Sequence, residues 1–71
     1  MEWHFDGTPD AAGWYAVLVC YDAEEGAFPM GAEWDGAKWK QRFVAAFGDR
    51  CETADEAKDL AYDNDPDNPN S

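Results

Sequence analysis

Trp14-Tyr-Ala-Val-Leu-Val-Cys-Tyr21, WYAVLVCY, is the longest uninterrupted apolar run in this 71-residue chain, and its reading decides the fold. It is apolar at both odd and even positions and rich in β-branched and aromatic side chains. Such a segment has no polar face to leave in water, so it predicts the central strand of a sheet covered on both sides. The rest of the chain must pair with this strand or cover it.

Downstream, Asp22 to Gly26 reads as a loop, and Ala27–Trp34 and Ala37–Phe47 read as strands. Asp35-Gly36 between them is a strong signal for a two-residue hairpin turn. That turn would set Trp34 opposite Ala37, Glu33 opposite Lys38, Ala32 opposite Trp39 and Gly31 opposite Lys40. Alternation then sends Met30, Ala32, Trp34, Trp39 and Phe43 to one face and Glu33, Lys38, Lys40 and Arg42 to the other. Whether the strand over 37–47 bends into two is left open. Upstream, Glu2–Phe5 suggests a short edge strand, and Thr8-Pro9-Asp10-Ala11-Ala12-Gly13 carries the cap, the first-turn proline and the stop glycine of one helical turn.

The helix comes last. Thr53 followed three residues later by Glu56 makes a capping box, and acids in the first turn suit the helix dipole. At 100° per residue Ala54, Ala57, Leu60 and Ala61 share one side, with Asp55, Glu56, Asp59 and Asp63 on the other. The predicted architecture is a single α+β domain over residues 1–71. It has a small antiparallel sheet of three to four strands (about 14–21, 27–34 and 37–47) and one C-terminal helix (about 54–64) packed on one face. Asp65-Pro66 ends the helix, and 66–71 would be a flexible acidic tail.

Charge separates the candidate functions. Sixteen Asp and Glu against five Lys and Arg give −11, with −8 over residues 1–37, +3 over 38–47 and −6 over 48–71. A compact chain of this length has a radius of gyration of roughly 11 Å, hence about one net charge per 2.6 Å of diameter. Duplex DNA carries one per roughly 1.7 Å of axis. Self-repulsion at this density opposes compaction and argues against binding free nucleic acid or anionic lipid. No basic-then-apolar leader or membrane-length apolar run is present, so the expected location is the cytoplasm. There Cys20 and Cys51 read as two small buried hydrophobes rather than a bridge.

Four chemistries can be weighed residue by residue. Glu33 and Asp35 beside Trp34 resemble a carboxylate pair, but cross-strand pairing and turn chemistry explain both without catalysis. Asp63-Asn64-Asp65-Pro66-Asp67-Asn68 starts like a calcium loop, then lacks the sixth-position Gly and the twelfth-position Glu. His4 has no ligand-spaced neighbour for zinc. Lys38, Trp39, Lys40 and Arg42 suggest a nucleobase platform, yet the pleat sends Trp39 away from the cations. No catalytic residue, metal or cofactor is expected.

The acids remain. Asp55 or Glu56, then Asp59, then Asp63 step by roughly 4.5 to 6 Å along the helix, among small neighbours, and so form a carboxylate ridge able to occupy an Arg-lined groove built for phosphates. Glu52, Glu24 and Glu25 extend the candidate binding set.

The segments GWYAVLVCYD (Gly13–Asp22), FPMGAEWDGAKW (Phe28–Trp39) and ETADEAKDLAYDNDPD (Glu52–Asp67) together resemble the small acidic anti-CRISPR proteins of bacteriophages and mobile elements, nearest to inhibitors of type I-C systems. The resemblance implies a stoichiometric, monomeric DNA mimic in the host bacterial cytoplasm. It also implies that the mimic binds a basic nucleic-acid-binding protein, the large subunit of a type I Cascade complex, and excludes target DNA. The competing reading is a non-catalytic protein-binding module acting through the sheet face, including Tyr15, Tyr21 and Lys40, with the acids serving solubility.

Overall fold

In the computed structural model, which describes residues 1–66, three strands and one helix follow in order. They are β1 (Gly13–Asp22), β2 (Gly26–Trp34), β3 (Val44–Cys51) and α1 (Ala54–Asp63). The sheet is antiparallel with β1 in the middle, in the order β2-β1-β3, and α1 packs on one face of it. The radius of gyration is 11.1 Å, and the small α+β class expected from the sequence is the one observed. The proposed tail lies outside the described residues except for Pro66.

WYAVLVCY is central because both of its faces are used. On one face Ala16 pairs with Gly31 and alternates with Leu18, and all three lie under or beside α1. On the other, Tyr15, Val17, Val19, Ala32 and Trp34 form the main core, with Met30, Trp39, Val44 and Phe47 packed against it. Residues 16–19 are consequently almost solvent-free.

The two-residue hairpin at Asp35-Gly36 is not formed, and β2 and β3 are not partners. The Asp35 carboxylate accepts the N–H groups of Ala37 and Lys38, each at 2.8 Å. Lys38 O accepts from Asp35 N–H at 3.1 Å, and Glu33 O accepts from Lys40 N–H at 3.0 Å. The loop is thus Asp35–Lys38, and Trp34 bridges Trp39 rather than Ala37. Relative to the expected register the slip is two residues, and an even slip keeps every side chain on its face. Trp39 therefore still meets Trp34, while Glu33 finds Lys40 at 3.4 Å instead of Lys38.

The stretch predicted as one strand over 37–47 breaks at Arg42-Phe43, where Phe43 takes φ +63°. The chain then crosses to pair with the free edge of β1. Burying half of a tryptophan's roughly 200 Å² gives about 2.5 kcal/mol. Trp39 adds ring contacts to Tyr15, Trp34 and Phe47 at 5.8, 5.2 and 6.0 Å, each worth about 0.5–1.5 kcal/mol. Those gains exceed the roughly 1–3 kcal/mol cost of a non-glycine residue at positive φ. Phe43, placed inward by simple alternation, is instead 58% exposed.

Two N-terminal expectations are also corrected. Glu2–Phe5 is not a strand: only His4 bridges, exchanging both backbone hydrogen bonds with Phe47 at 2.8 and 3.0 Å. Thr8–Gly13 forms no helical turn. Two of its carbonyls accept from side chains instead, Ala11 O from the nearby Tyr15 Oη at 2.6 Å and Ala12 O from the distant Arg50 Nε at 3.1 Å, so these two are satisfied without helical bonds.

Candidate acidic binding surface

α1 begins where the sequence placed it. Thr53 is the N-cap, in extended conformation, and its Oγ1 accepts from Glu56 N–H at 3.1 Å. Asn64 caps the other end, its Nδ2 donating to Leu60 O at 2.9 Å, and Trp3 Nε1 donates to Asn64 O at 2.8 Å. The helix is thereby tied at both ends, with helical conformation stopping at Asp63. Ala57 and Ala61 are fully buried, Leu60 is half-buried, and Ala54 is exposed rather than inward.

The seat of the helix is Gly31 on β2. A Cβ added there would lie 2.7 Å from Ala54 O and 3.0 Å from both Ala57 Cβ and Lys58 N. Only glycine facing alanine allows this separation, so the helix backbone rides directly on the sheet. Its opposite side carries Asp55, Glu56, Asp59 and Asp63, all exposed. Asp55, Asp59 and Asp63 recur every fourth residue, about 6 Å apart along the axis. Every second phosphate of a DNA strand is spaced by roughly 6.8 Å along its axis.

Only part of this acidic face serves the helix. Asp55 and Glu56 in the first turn favour it, but Asp63 stands in the last turn with no basic residue there, against the helix dipole. Lys58 lies over the Tyr62 ring at 5.9 Å rather than bridging to Asp55 or Asp59. Across the described residues no acid is buried, so the fifteen carboxylates among them face water at least in part.

The seven nominated acids fall into two groups. Glu52 lies just before the N-cap and joins Asp55, Glu56, Asp59 and Asp63. Asp49 and Glu56 stand close enough to Cys51 that, after burial, they are the next causes raising its thiol above the ordinary value. Glu24 and Glu25 sit in the β1–β2 turn, where Asp22 Oδ1 accepts from Glu24 N–H at 2.9 Å. Trp14 is level with Cys51, and Asp22 is eight residues further along β1, about 26 Å at the usual rise. Glu52, at the start of the first group, thus lies near the opposite end of β1 from Glu24 and Glu25.

The other chemistries find little geometry. Asp35 is held ionised: the Lys38 and then the Ala37 backbone N–H bonds lower its carboxyl from the ordinary value. Among the described residues no three His, Cys, Asp or Glu side chains group to hold a metal ion. The Asp63–Asn68 pattern lies partly outside the described residues, and within them Asn64 serves as a cap. Cys20 and Cys51 are both free. They lie on β1 and β3 about six residues apart in level, roughly 20 Å, far beyond disulfide reach. An open cleft of about 360 Å³ is lined by His4, Asp10, Tyr15, Phe47, Asp49 and Arg50 among others, but its phenol and guanidinium are already bonded to loop carbonyls. Among the described residues no helix is long and apolar enough to cross a membrane.

Sequence reasoning missed one surface. Tyr21, Phe28 and Phe43 are 53%, 40% and 58% exposed and touch in a row, Tyr21 to Phe28 at 5.5 Å and Tyr21 to Phe43 at 5.1 Å between centroids. Tyr15, offered with Tyr21 as a surface anchor, is only 6% exposed and belongs to the core. The signal that pointed to the row was Tyr21 at the very end of an otherwise buried strand.

Comparison with known proteins finds no matching family model, no matching curated protein and no matching solved structure.

Proposed function

We propose that this protein is a non-catalytic inhibitor that imitates the phosphate backbone of DNA. The observation that carries the reading is the Asp55–Asp59–Asp63 ridge, held on a helix whose inner face is locked to Gly31 while its outer carboxylates stay exposed to solvent. A basic groove that binds DNA presents Arg and Lys at phosphate spacing, and charge-assisted bonds form equally to carboxylates. The partner is a basic nucleic-acid-binding protein. The resemblance to anti-CRISPR proteins narrows it to the large subunit of a type I Cascade complex in the host bacterial cytoplasm, where the inhibitor acts as a monomer. Glu52 and Glu56 extend the ridge, and Glu24 and Glu25 make a separate contact at the far end.

The test is target-DNA binding by a purified type I-C Cascade complex with and without equimolar protein. Inhibition is expected, and the combined reversal D55K, E56K, D59K and D63K should abolish it while far-UV circular dichroism stays unchanged. Full inhibition by that variant would refute the phosphate-mimic reading, and no inhibition by the natural chain would refute the proposed partner.

The exposed aromatic row favours a second reading, a protein-binding module acting through the sheet face. It would show salt-insensitive partner binding that survives the reversals.

A further inference from the structure

The aromatic row spans all three strands, with Phe28 on β2, Tyr21 on β1 and Phe43 at the entrance to β3, about 10 Å at the usual strand spacing. It continues the aromatic core outward, since Phe28 pairs with Val19 and Val44 pairs with Val19 on the other side. Beyond this point nothing among the described residues covers it.

Two features show that the row is held in place. Gln41 Nε2 donates to Tyr21 Oη at 2.9 Å and to Arg42 O at 3.1 Å, which fixes the Tyr21 ring. Phe43 adopts φ +63°, a conformation that glycine or asparagine takes with little strain and phenylalanine does not. Its carbonyl accepts from Cys20 N–H at 3.0 Å, a bond any residue could make. The backbone therefore gains nothing from phenylalanine at this position, and the side chain is left mostly in water.

Charge decides what covers such a surface. Asp22, Glu24 and Glu25 follow Tyr21 within four residues, in the turn next to the rings. A second copy of this chain would bring another −11 to the contact and be repelled. An aromatic platform with Asp22, Glu24 and Glu25 close to it in the chain, against the one flanking cation Arg42 beside Phe43, suits a planar cation, attracted to the ring faces and to the acids together.

We propose that Tyr21, Phe28 and Phe43, with Glu24 and Glu25 at the rim, form a docking site for an arginine side chain of the protein partner. This rests on the reading of that partner as a basic nucleic-acid-binding surface, and it assigns the far-end acids a role separate from the α1 ridge. Guanidinium stacks on the rings, and the carboxylates accept its N–H bonds.

The experiment is an NMR titration of the labelled full chain at 150 mM salt with a blocked Gly-Arg-Gly-Arg-Gly peptide, and with the same peptide carrying citrulline for arginine. Saturable shifts of the Tyr21, Phe28 and Phe43 ring protons are expected, with citrulline binding about tenfold weaker. F43G should weaken the arginine peptide by a similar factor without lowering the melting temperature, and F28S supplies an independent variant on a strand already formed. The D55K/E56K/D59K/D63K chain should keep the ring shifts. Equal binding of the citrulline peptide, shifts confined to α1, or self-association through the rings in sedimentation would each overturn the site. Retained arginine binding by a chain that fails to displace DNA would overturn the phosphate reading and leave this site standing.

Discussion

Replacing Gly31 with alanine probes the contact on which the acidic ridge depends. The added methyl would stand 2.7 Å from Ala54 O and 3.0 Å from Ala57 Cβ and Lys58 N, against an ordinary separation of about 3.5–4.0 Å. Two of those atoms are helix backbone and the third is a short, buried side chain, so relief requires α1 to lift by a good fraction of an ångström and to loosen Ala57 and Ala61. Overpacking of this kind costs about 1–3 kcal/mol, offset by about 0.4–1 kcal/mol from the lower entropy of the unfolded alanine chain. The net expectation is a loss of about 1–2 kcal/mol, or a melting temperature lower by about 4–16 °C for a domain of this size. Thermal unfolding followed by circular dichroism reads it directly. Gly48 is the control, because the three atoms nearest to a Cβ there all belong to the flexible Met1 side chain, and G48A should change stability by less than half as much as G31A. An unchanged melting temperature for G31A would refute the close seating of α1 on β2.

Other expectations follow from charge and burial. D63N should raise the melting temperature at low salt, with the gain shrinking at 0.5 M salt, because it removes an acid from the wrong end of the helix dipole; a lower melting temperature would show that Asp63 serves the fold. The Asp35 carboxyl is depressed in the folded state, so its contribution is complete above the unfolded value of about 3.8 and is lost as pH falls through the lower folded value. The stability deficit of D35N relative to the natural chain should therefore be full at pH 7 and vanish in strong acid. With iodoacetamide at pH 8, Cys20 should be modified first and Cys51 only on unfolding, as burial and the nearby Glu56 and Asp49 raise the Cys51 thiol. Mild oxidation should leave the chain without a Cys20–Cys51 bridge, checked by mass spectrometry.

Local signals were legible where one interaction dominated. WYAVLVCY announced a strand covered on both faces, and Thr53 with the alanine stripe announced α1 to within a residue. Asp35-Gly36 misled because its turn propensity, though used, was outweighed by aromatic burial two residues further on: Asp35 caps the loop, but Trp39 sets its length. The faces survived that error because the slip was even. The separation of β2 from β3 was invisible locally, since it follows from β1 having two edges to fill rather than from anything in residues 37–47. The acidic ridge could be read from helical periodicity alone. The distance between Glu24 and Glu52 could not, and neither could the aromatic row, which depends on one residue, Phe43, leaving the β region.

Whether this surface and DNA compete for the same basic groove is read from equilibrium binding of the protein to the proposed Cascade partner at increasing target-DNA concentration. Mutually exclusive binding is expected, with the apparent Kd for the protein rising in proportion to free DNA once DNA exceeds its own Kd. A stable ternary complex of partner, DNA and protein, with a Kd indifferent to DNA, would contradict it.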